Sequence, residues 1–364
     1  MTVEFIGMIG AQHVSEIHAA DGPAIDPDFL RRFAQAHEAA GFDRVLIGYG
    51  SSSPENTQLA AHVAAHTERL GFLIAHRPGF VAPTLAARTF ATADHLTGGR
   101  IAVHIITGGN DADQRRDGDY LDKDERYART DEYLDILHRV WTAEGPVSHH
   151  GEHYRFEDFN TPVRPVQQPR IPLYFGGSSD TALRVGGKHA DVYAMWGEPL
   201  AQTAEQIEAV RKAAAAAGRT EPPRISVSFR PILGATEEQA WERAHRILDQ
   251  INAARGGLAS FTGPKTLEPG QQVRNVGSQR LLAAAAAGEL HDRALWTPTA
   301  AATNAAGNST ALVGTPETVA AALLDYVDIG VTTLLIRGYD PFDDAVDYGR
   351  ELIPLVRQEI ARRD

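Results

Sequence analysis

Eight apolar runs of five to ten residues punctuate the chain, and each gives way to a stretch whose apolar positions recur at helical spacing. The runs lie at 3–10, 44–48, 70–76, 101–108, 171–177, 191–197, 224–233 and 332–338. They are nearly continuous rather than alternating, as expected of parallel strands covered on both faces. Asp26-Pro27 supplies a cap and a proline at the first helical position, and Gly41 ends that helix. Pro83 opens another helix, which Gly98-Gly99 close. Further helices are predicted over 124–143, 179–188, 199–217, 236–254 and 315–330, with a last one reaching Arg362. Eight strand–helix units predict an α/β chain of the (β/α)8 TIM-barrel type. A doubly wound sheet is disfavoured because no G-x-G-x-x-G turn follows the first run.

Three segments exceed this pattern. A charged, mobile-looking loop follows the fourth strand. HHGEHYRFEDF (149–159), after the fourth helix, alternates like a small hairpin. The fifty-odd residues after the helix 236–254 are rich in Gly, Ala, Thr and Asn and predict one helix, GSQRLLAAAAAG, and no strand. No linker divides the chain, so residues 1–364 are expected to form one barrel domain, with 256–312 a mobile lid.

The net charge of −12 argues against nucleic acid or an anionic membrane as the main partner. The absence of cysteine removes disulfides, thiolate metal sites and a cysteine nucleophile. MTVEFIGMIGAQHVSE lacks the pattern of a secretion signal, and no apolar run has the ~20 residues of a membrane span. A cytoplasmic location is expected.

Barrel sites sit at the C-terminal ends of the strands. Those ends carry His13, residues 48–53, His76-Arg77, Thr107, residues 176–179, Trp196, Ser228, Arg230, Arg337 and Tyr339. The set is aromatic, hydroxylic and cationic with few carboxylates, which suits an anionic ligand and a flat ring better than a divalent metal. In Gly176-Gly177-Ser178-Ser179 a strand end meets a helix start, and its glycines, hydroxyls and free amides suit a phosphate; an ordinary serine cap is the alternative. Arg230 and Arg337 must each be paired with a loop carboxylate or face a ligand, because an unpaired buried charge is costly. His149, His150 and His153 fall on exposed, alternating positions without a carboxylate at ligand spacing, so no metal site is expected there.

The chain resembles the bacterial luciferase-like flavin-dependent monooxygenases, and among them the alkanesulfonate monooxygenases. The likeness is densest in RPGFVAPTLAARTFATADHLTGGR (77–100), ITGGNDADQRRDGDYLDKDERYARTDEYL (106–134), PLYFGGSSDTAL (172–183) and YAMWGEPL (193–200). It returns in TALVGTPETVAA (310–321) and RGYDPFDDAVDYGRELIPLV (337–356). The resemblance implies a luciferase-like barrel, a homo-oligomer (dimer or tetramer), and reduced FMN from a separate NAD(P)H-dependent FMN reductase. It implies that O2 activated on the flavin attacks the carbon bearing a sulfonate, giving an aldehyde and sulfite. By likeness Thr107, Arg126, Tyr127, Gly177, Ser178 and Ser179 would hold FMN, with the serines at its phosphate. Trp196 would line the flavin and substrate pocket, and Tyr339 would be a catalytic or substrate residue.

The chain departs from the sulfonate pattern around the substrate. Ser53 stands where those enzymes have a cysteine, and Ser228-Phe229-Arg230 replaces their Arg-x-His. ATNAAGNS lacks their loop arginine, and Arg337 replaces a small residue. Arg230 and Arg337 are therefore expected to replace the missing cations around the sulfonate, with Arg230 also catalytic. Gln12, His13 and Ser53 would complete a pocket for an alkanesulfonate or a polar organosulfonate such as a sulfosugar. The competing readings are oxygenation of a ketone, amine or thioether, hydride transfer with a deazaflavin, and a non-catalytic flavin-binding protein.

Overall fold

The computed structural model describes residues 2–254, 273, 275–305 and 310–363. Eight parallel strands close on themselves: β1 (Glu4–Ile9), β2 (Arg44–Ile47), β3 (Gly71–His76), β4 (Ile101–Ile105), β5 (Leu173–Gly176), β6 (Val192–Trp196), β7 (Arg224–Leu233) and β8 (Val331–Ile336). Each pairs with the next, and β8 returns to β1 through Phe5 opposite Leu334. This is the predicted TIM barrel. Among the described residues no helix is long and apolar enough to cross a membrane.

Strand parity sorts the side chains into two sets. Phe72, Ile74, Ile101, Val103, Ile105 and Phe175 face the helices and belong to the large outer core. Ile6, Leu73, Ala102, Tyr174 and Val192, with Leu46 and Leu335 against them, fill the barrel axis. Below this plug the Tyr174 hydroxyl donates to Glu4 Oε2 at 2.8 Å, and Arg44 Nε donates to Glu4 Oε1 at 2.7 Å. One step above it the same face carries Met8, Gly48, Ala75, His104, Gly176, Ala194, Ser228 and Arg337. Small residues predominate there, so the axis opens toward the C-terminal ends of the strands.

The loop after β4 holds a short helix, Asp111–Arg116, capped by Asn110. Asp122 and Glu125 then form a reciprocal capping box that starts the helix Lys123–Thr142. The predicted hairpin is present as Val147–His150 against Arg155–Phe159. The segment after β7, expected to lack strands, contains Leu290–His291, Leu295–Trp296 and Ala311–Gly314. These extend the sheet because β7 is ten residues long. Residues 225–229 pair with β8, whereas Arg230 to Leu233 run on to pair with Ala311–Gly314. The predicted helix in this segment is Val276–Ala287. Residues 255–272, 274 and 306–309, and with them much of the expected 256–312 lid, lie outside the described residues.

Candidate active site

The phosphate-like corner lies where β5 meets the helix Asp180–His189. Ser179 caps that helix, accepting a hydrogen bond from the Ala182 amide at 3.3 Å. Its side chain also hydrogen-bonds the Tyr127 hydroxyl, whose pKa burial pushes up and Ser179 partly restores. Gly177 has φ +150°, and a Cβ there would lie 2.6 Å from Ala182 Cβ and 3.2 Å from the Tyr127 hydroxyl. Tyr193 donates its hydroxyl to the Gly177 carbonyl at 2.6 Å, and Ser178 Oγ donates to Gln206 Oε1 at 3.1 Å. Tyr127, Gly177, Ser178 and Ser179 thus converge at one corner.

The adjoining wall follows β4. Arg126 is 2% exposed rather than part of a solvated charge pattern. Its guanidinium donates to the Leu121 carbonyl at 2.6 Å, the Gly108 carbonyl at 3.3 Å and Asp111 Oδ1 at 2.7 Å. It therefore holds the loop after β4 in place. Arg77, one residue past β3, pairs with Asp113 and lies over the Tyr49 ring, 4.8 Å from its centroid. Burial alone would raise the Asp113 carboxyl pKa, but hydrogen bonds from Ser51 and Arg77 hold it below its ordinary value.

Several polar atoms on this wall are buried without a hydrogen-bond partner: Thr107 Oγ1, Gln114 Nε2, Arg126 Nε and Arg77 Nε; Arg77 Nη1 lies 3.8 Å from Asp117 Oδ2. Buried polar groups are almost always hydrogen-bonded. A row of unmet groups beside a Gly-Ser-Ser helix start fits a ligand that is both polar and phosphorylated, as FMN is. Ser178, Ser179 and Tyr127 would hold its phosphate, and Thr107 and Gln114 would meet its polar edge.

On the β7–β8 side the two cations meet a loop carboxylate. Arg230 is wholly buried and pairs with Glu16, Nη1 at 3.2 Å and Nη2 at 2.9 Å. It also donates to the carbonyls of Arg337 at 2.7 Å and Gly338 at 2.9 Å, and stacks 3.8 Å from the Tyr339 ring centroid. Arg337 Nη2 reaches Glu16 Oε1 at 2.6 Å. Glu16 is thus the loop carboxylate that pairs with both cations. Burial would lower the pKa of Arg230, but Glu16 raises it; burial and the neighbouring Arg230 lower that of Arg337. Tyr339 is 1% exposed and packs with Ile232, Ile247, Trp296 and Val313.

Trp196 does reach the mouth. It is half-buried, and the helix Val276–Ala287 lies close against it, with Gly277 so near that a Cβ would sit 3.0 Å from the indole. His13 is exposed and stacks on His18 at 4.9 Å, Gln12 is half-buried beside it, and His18 pairs with Asp340. Ser53 is half-buried in the turn after β2.

Sequence reasoning also missed the carboxylates. Glu16, Asp111 and Asp113 each meet an arginine at the mouth, and Asp119 pairs with Arg129. They lie in irregular loops, where nothing in the spacing marks a partner. His149 likewise has a carboxylate after all, Glu132 Oε1 at 2.8 Å. Among the described residues the one cluster with metal-like spacing is Asp131, Asp135 and His189, but Lys188 and Arg184 already neutralise it.

The fold has solved counterparts. It superposes with TM-score 0.80 on riboflavin lyase RcaE with modified FMN and substrate riboflavin, at 21% identity, covering 99% of this chain and 92% of that one. EDTA monooxygenase EmoA from Chelativorans sp. BNC1 gives 0.75 at 17% identity, covering 99% and 94%. DmoA from Hyphomicrobium sulfonivorans gives 0.77 at 20% identity, covering 99% and 89%. Residues 3–333 match the luciferase-like monooxygenase family, and the chain belongs to it.

Proposed function

We propose that this chain is the oxygenase component of a two-component system that takes reduced FMN from a separate NAD(P)H-dependent reductase and uses O2. The observation carrying this reading is the line of unpartnered buried polar atoms at Thr107, Gln114, Arg126 and Arg77, beside the Gly177-Ser178-Ser179 turn. Bound reduced FMN would supply the activation of O2, which no side chain of the mouth can provide. The chain's own work is placement and shelter. Ser178, Ser179 and the amides of the following helix orient the phosphate. Trp196, under the helix Val276–Ala287, screens the mouth from water.

For the substrate we propose an organosulfonate cleaved to sulfite and an aldehyde, held near Trp196, Gln12, His13, Ser53 and the Arg230–Arg337 pair. One observation favours a second reading. Glu16 already accepts hydrogen bonds from both arginines, so a substrate without a sulfonate, such as a ketone, amine or thioether, fits the same mouth. The test supplies FMN, an FMN reductase and NADH, and follows O2 uptake and sulfite across methanesulfonate to octanesulfonate and a sulfosugar. Sulfite from one member supports desulfonation. Substrate-stimulated O2 uptake without sulfite selects the second reading. Absence of any FMN binding refutes the flavin site.

A further inference from the structure

The Gly177–Ser179 corner is linked to a buried carboxylate on the next strand end. Ser178 Oγ donates to Gln206 Oε1 at 3.1 Å, and Gln206 is a buried residue of the helix Leu200–Ala216. The Gln206 side chain also hydrogen-bonds the carboxylate of Glu198, two residues beyond β6 and 2% exposed. Arg280, on the helix Val276–Ala287, grips the same carboxylate, with Nε 2.9 Å from both oxygens and Nη2 2.8 Å from Oε2. Burial raises the Glu198 pKa, and the bonds from Arg280 and Gln206 oppose it. The Glu198 carbonyl accepts from the Tyr326 hydroxyl at 2.8 Å and from Thr203 Oγ1 at 3.0 Å, which fixes the backbone beneath the carboxylate.

These contacts leave the Gln206 amide one orientation. A carboxylate paired with arginine only accepts, so the amide nitrogen faces Glu198 and the amide oxygen faces Ser178. That oxygen needs a donor. A serine hydroxyl has a single proton, and Ser178 directs it to Gln206. A phosphate is also purely an acceptor. Seated against Ser178, it asks for the proton that Gln206 already holds. Turning the amide over is no escape, because its oxygen would then face the Glu198 carboxylate. Ser179 stands differently: its oxygen accepts from the Ala182 amide, and its side chain meets the Tyr127 hydroxyl. The two serines of the corner are therefore not equivalent toward a phosphate.

We propose that Gln206 is a positioning residue that loosens the hold on a phosphorylated flavin, by competing with the phosphate for the one proton of Ser178. This rests on the FMN reading above. A phosphate that takes the proton leaves the Gln206 oxygen buried without a donor, so part of its binding free energy is lost. A moderate hold suits a two-component system, in which flavin must leave after each turnover and be replaced by reduced flavin. Glu198 and Arg280 keep the competition in force, since they fix the amide. Arg280 belongs to the helix whose Gly277 abuts Trp196, so the cover of the mouth and the hold on the phosphate share one carboxylate.

The experiment is a fluorescence titration of the whole protein with FMN and with riboflavin, which lacks the phosphate. The wild type, Gln206→Met, Ser178→Ala and the double variant are compared. Methionine fills the space of glutamine without its amide oxygen. Gln206→Met tightens FMN about three- to tenfold, leaves riboflavin unchanged, and loses its gain when Ser178→Ala is added. A merely structural role for Gln206 gives weaker binding of both flavins. An FMN affinity unchanged or lowered in Gln206→Met, an equal gain for riboflavin, or a gain that survives Ser178→Ala overturns the inference while leaving the flavin site standing. Failure of the wild type to bind FMN overturns both. Should Gln206→Met not fold, Glu198→Gln decides. It frees the Gln206 amide to turn over, while Arg280 keeps Glu205 Oε2 at 3.7 Å. A gain for FMN and not for riboflavin is expected there, and its absence overturns the proposal.

Discussion

Replacing Glu16 by glutamine tests whether Arg230 and Arg337 are structural cations. The Glu16 carboxylate is 7% exposed and accepts from both arginines, and the Arg230 side chain is wholly buried. Removing one partner of a buried pair costs about 3–5 kcal/mol, because the remaining charge is left in a low-dielectric site. Glutamine keeps one acceptor oxygen, so the low end, about 3 kcal/mol, applies. A chain of 364 residues has an unfolding entropy of about 0.8 kcal/mol per kelvin near its midpoint, so Tm falls by about 4 °C. Calorimetry at several scan rates is the assay, since chains of this size often unfold irreversibly. A second variant completes the argument. Replacing Glu16, Arg230 and Arg337 together by methionine removes every charge, and its Tm returns toward the wild type. E16Q within 1 °C of the wild type, or a triple variant less stable than E16Q, would refute the reasoning.

Two further outcomes follow from particular contacts. Gly177→Ala places a Cβ 2.6 Å from Ala182 Cβ at φ +150°, displacing the helix start that would hold the phosphate; FMN binding weakens ten- to hundredfold by fluorescence titration, roughly the worth of a charge-assisted bond, while the circular dichroism spectrum is kept. Burial lowers His37, His76 and His104 from 6.5 to about 4. The unfolded chain therefore takes protons below pH 6.5 that the fold refuses until about pH 4. Stability is full above pH 6.5 and falls by about 1.4 kcal/mol per pH unit per histidine as the pH drops toward 4. His76→Gln, which can still hydrogen-bond Tyr133, shows a decline shallower by one such increment in a Tm-versus-pH series; an unchanged slope contradicts the burial account.

The barrel was legible because each strand is an uninterrupted apolar run and each helix start or stop is marked by Asp-Pro, Gly-Gly or a serine cap, all local signals. The Gly177–Ser179 corner was legible for the same reason, since a strand end and a helix cap adjoin in sequence. What escaped was whatever depended on distant partners. Glu16 meets Arg230 across 214 residues, and no local pattern reports that contact. The short strands after β7 have only two to four residues each, too few for a period to register, and exist because β7 overruns the barrel.

The overrun of β7 gives the molecule a seam. Barrel closure is complete by Phe229, opposite Ile336, and from Arg230 onward the same strand serves a different sheet. Ladder bonds on the two sides of that junction are separable, so the segment between β7 and β8 can be exchanged or remodelled without reopening the barrel. Variation among relatives is then free to redraw the roof over the mouth while the floor keeps its register. Chimeras should be cut after Arg230, which keeps its pair with Glu16, on one side and after Gly314 on the other.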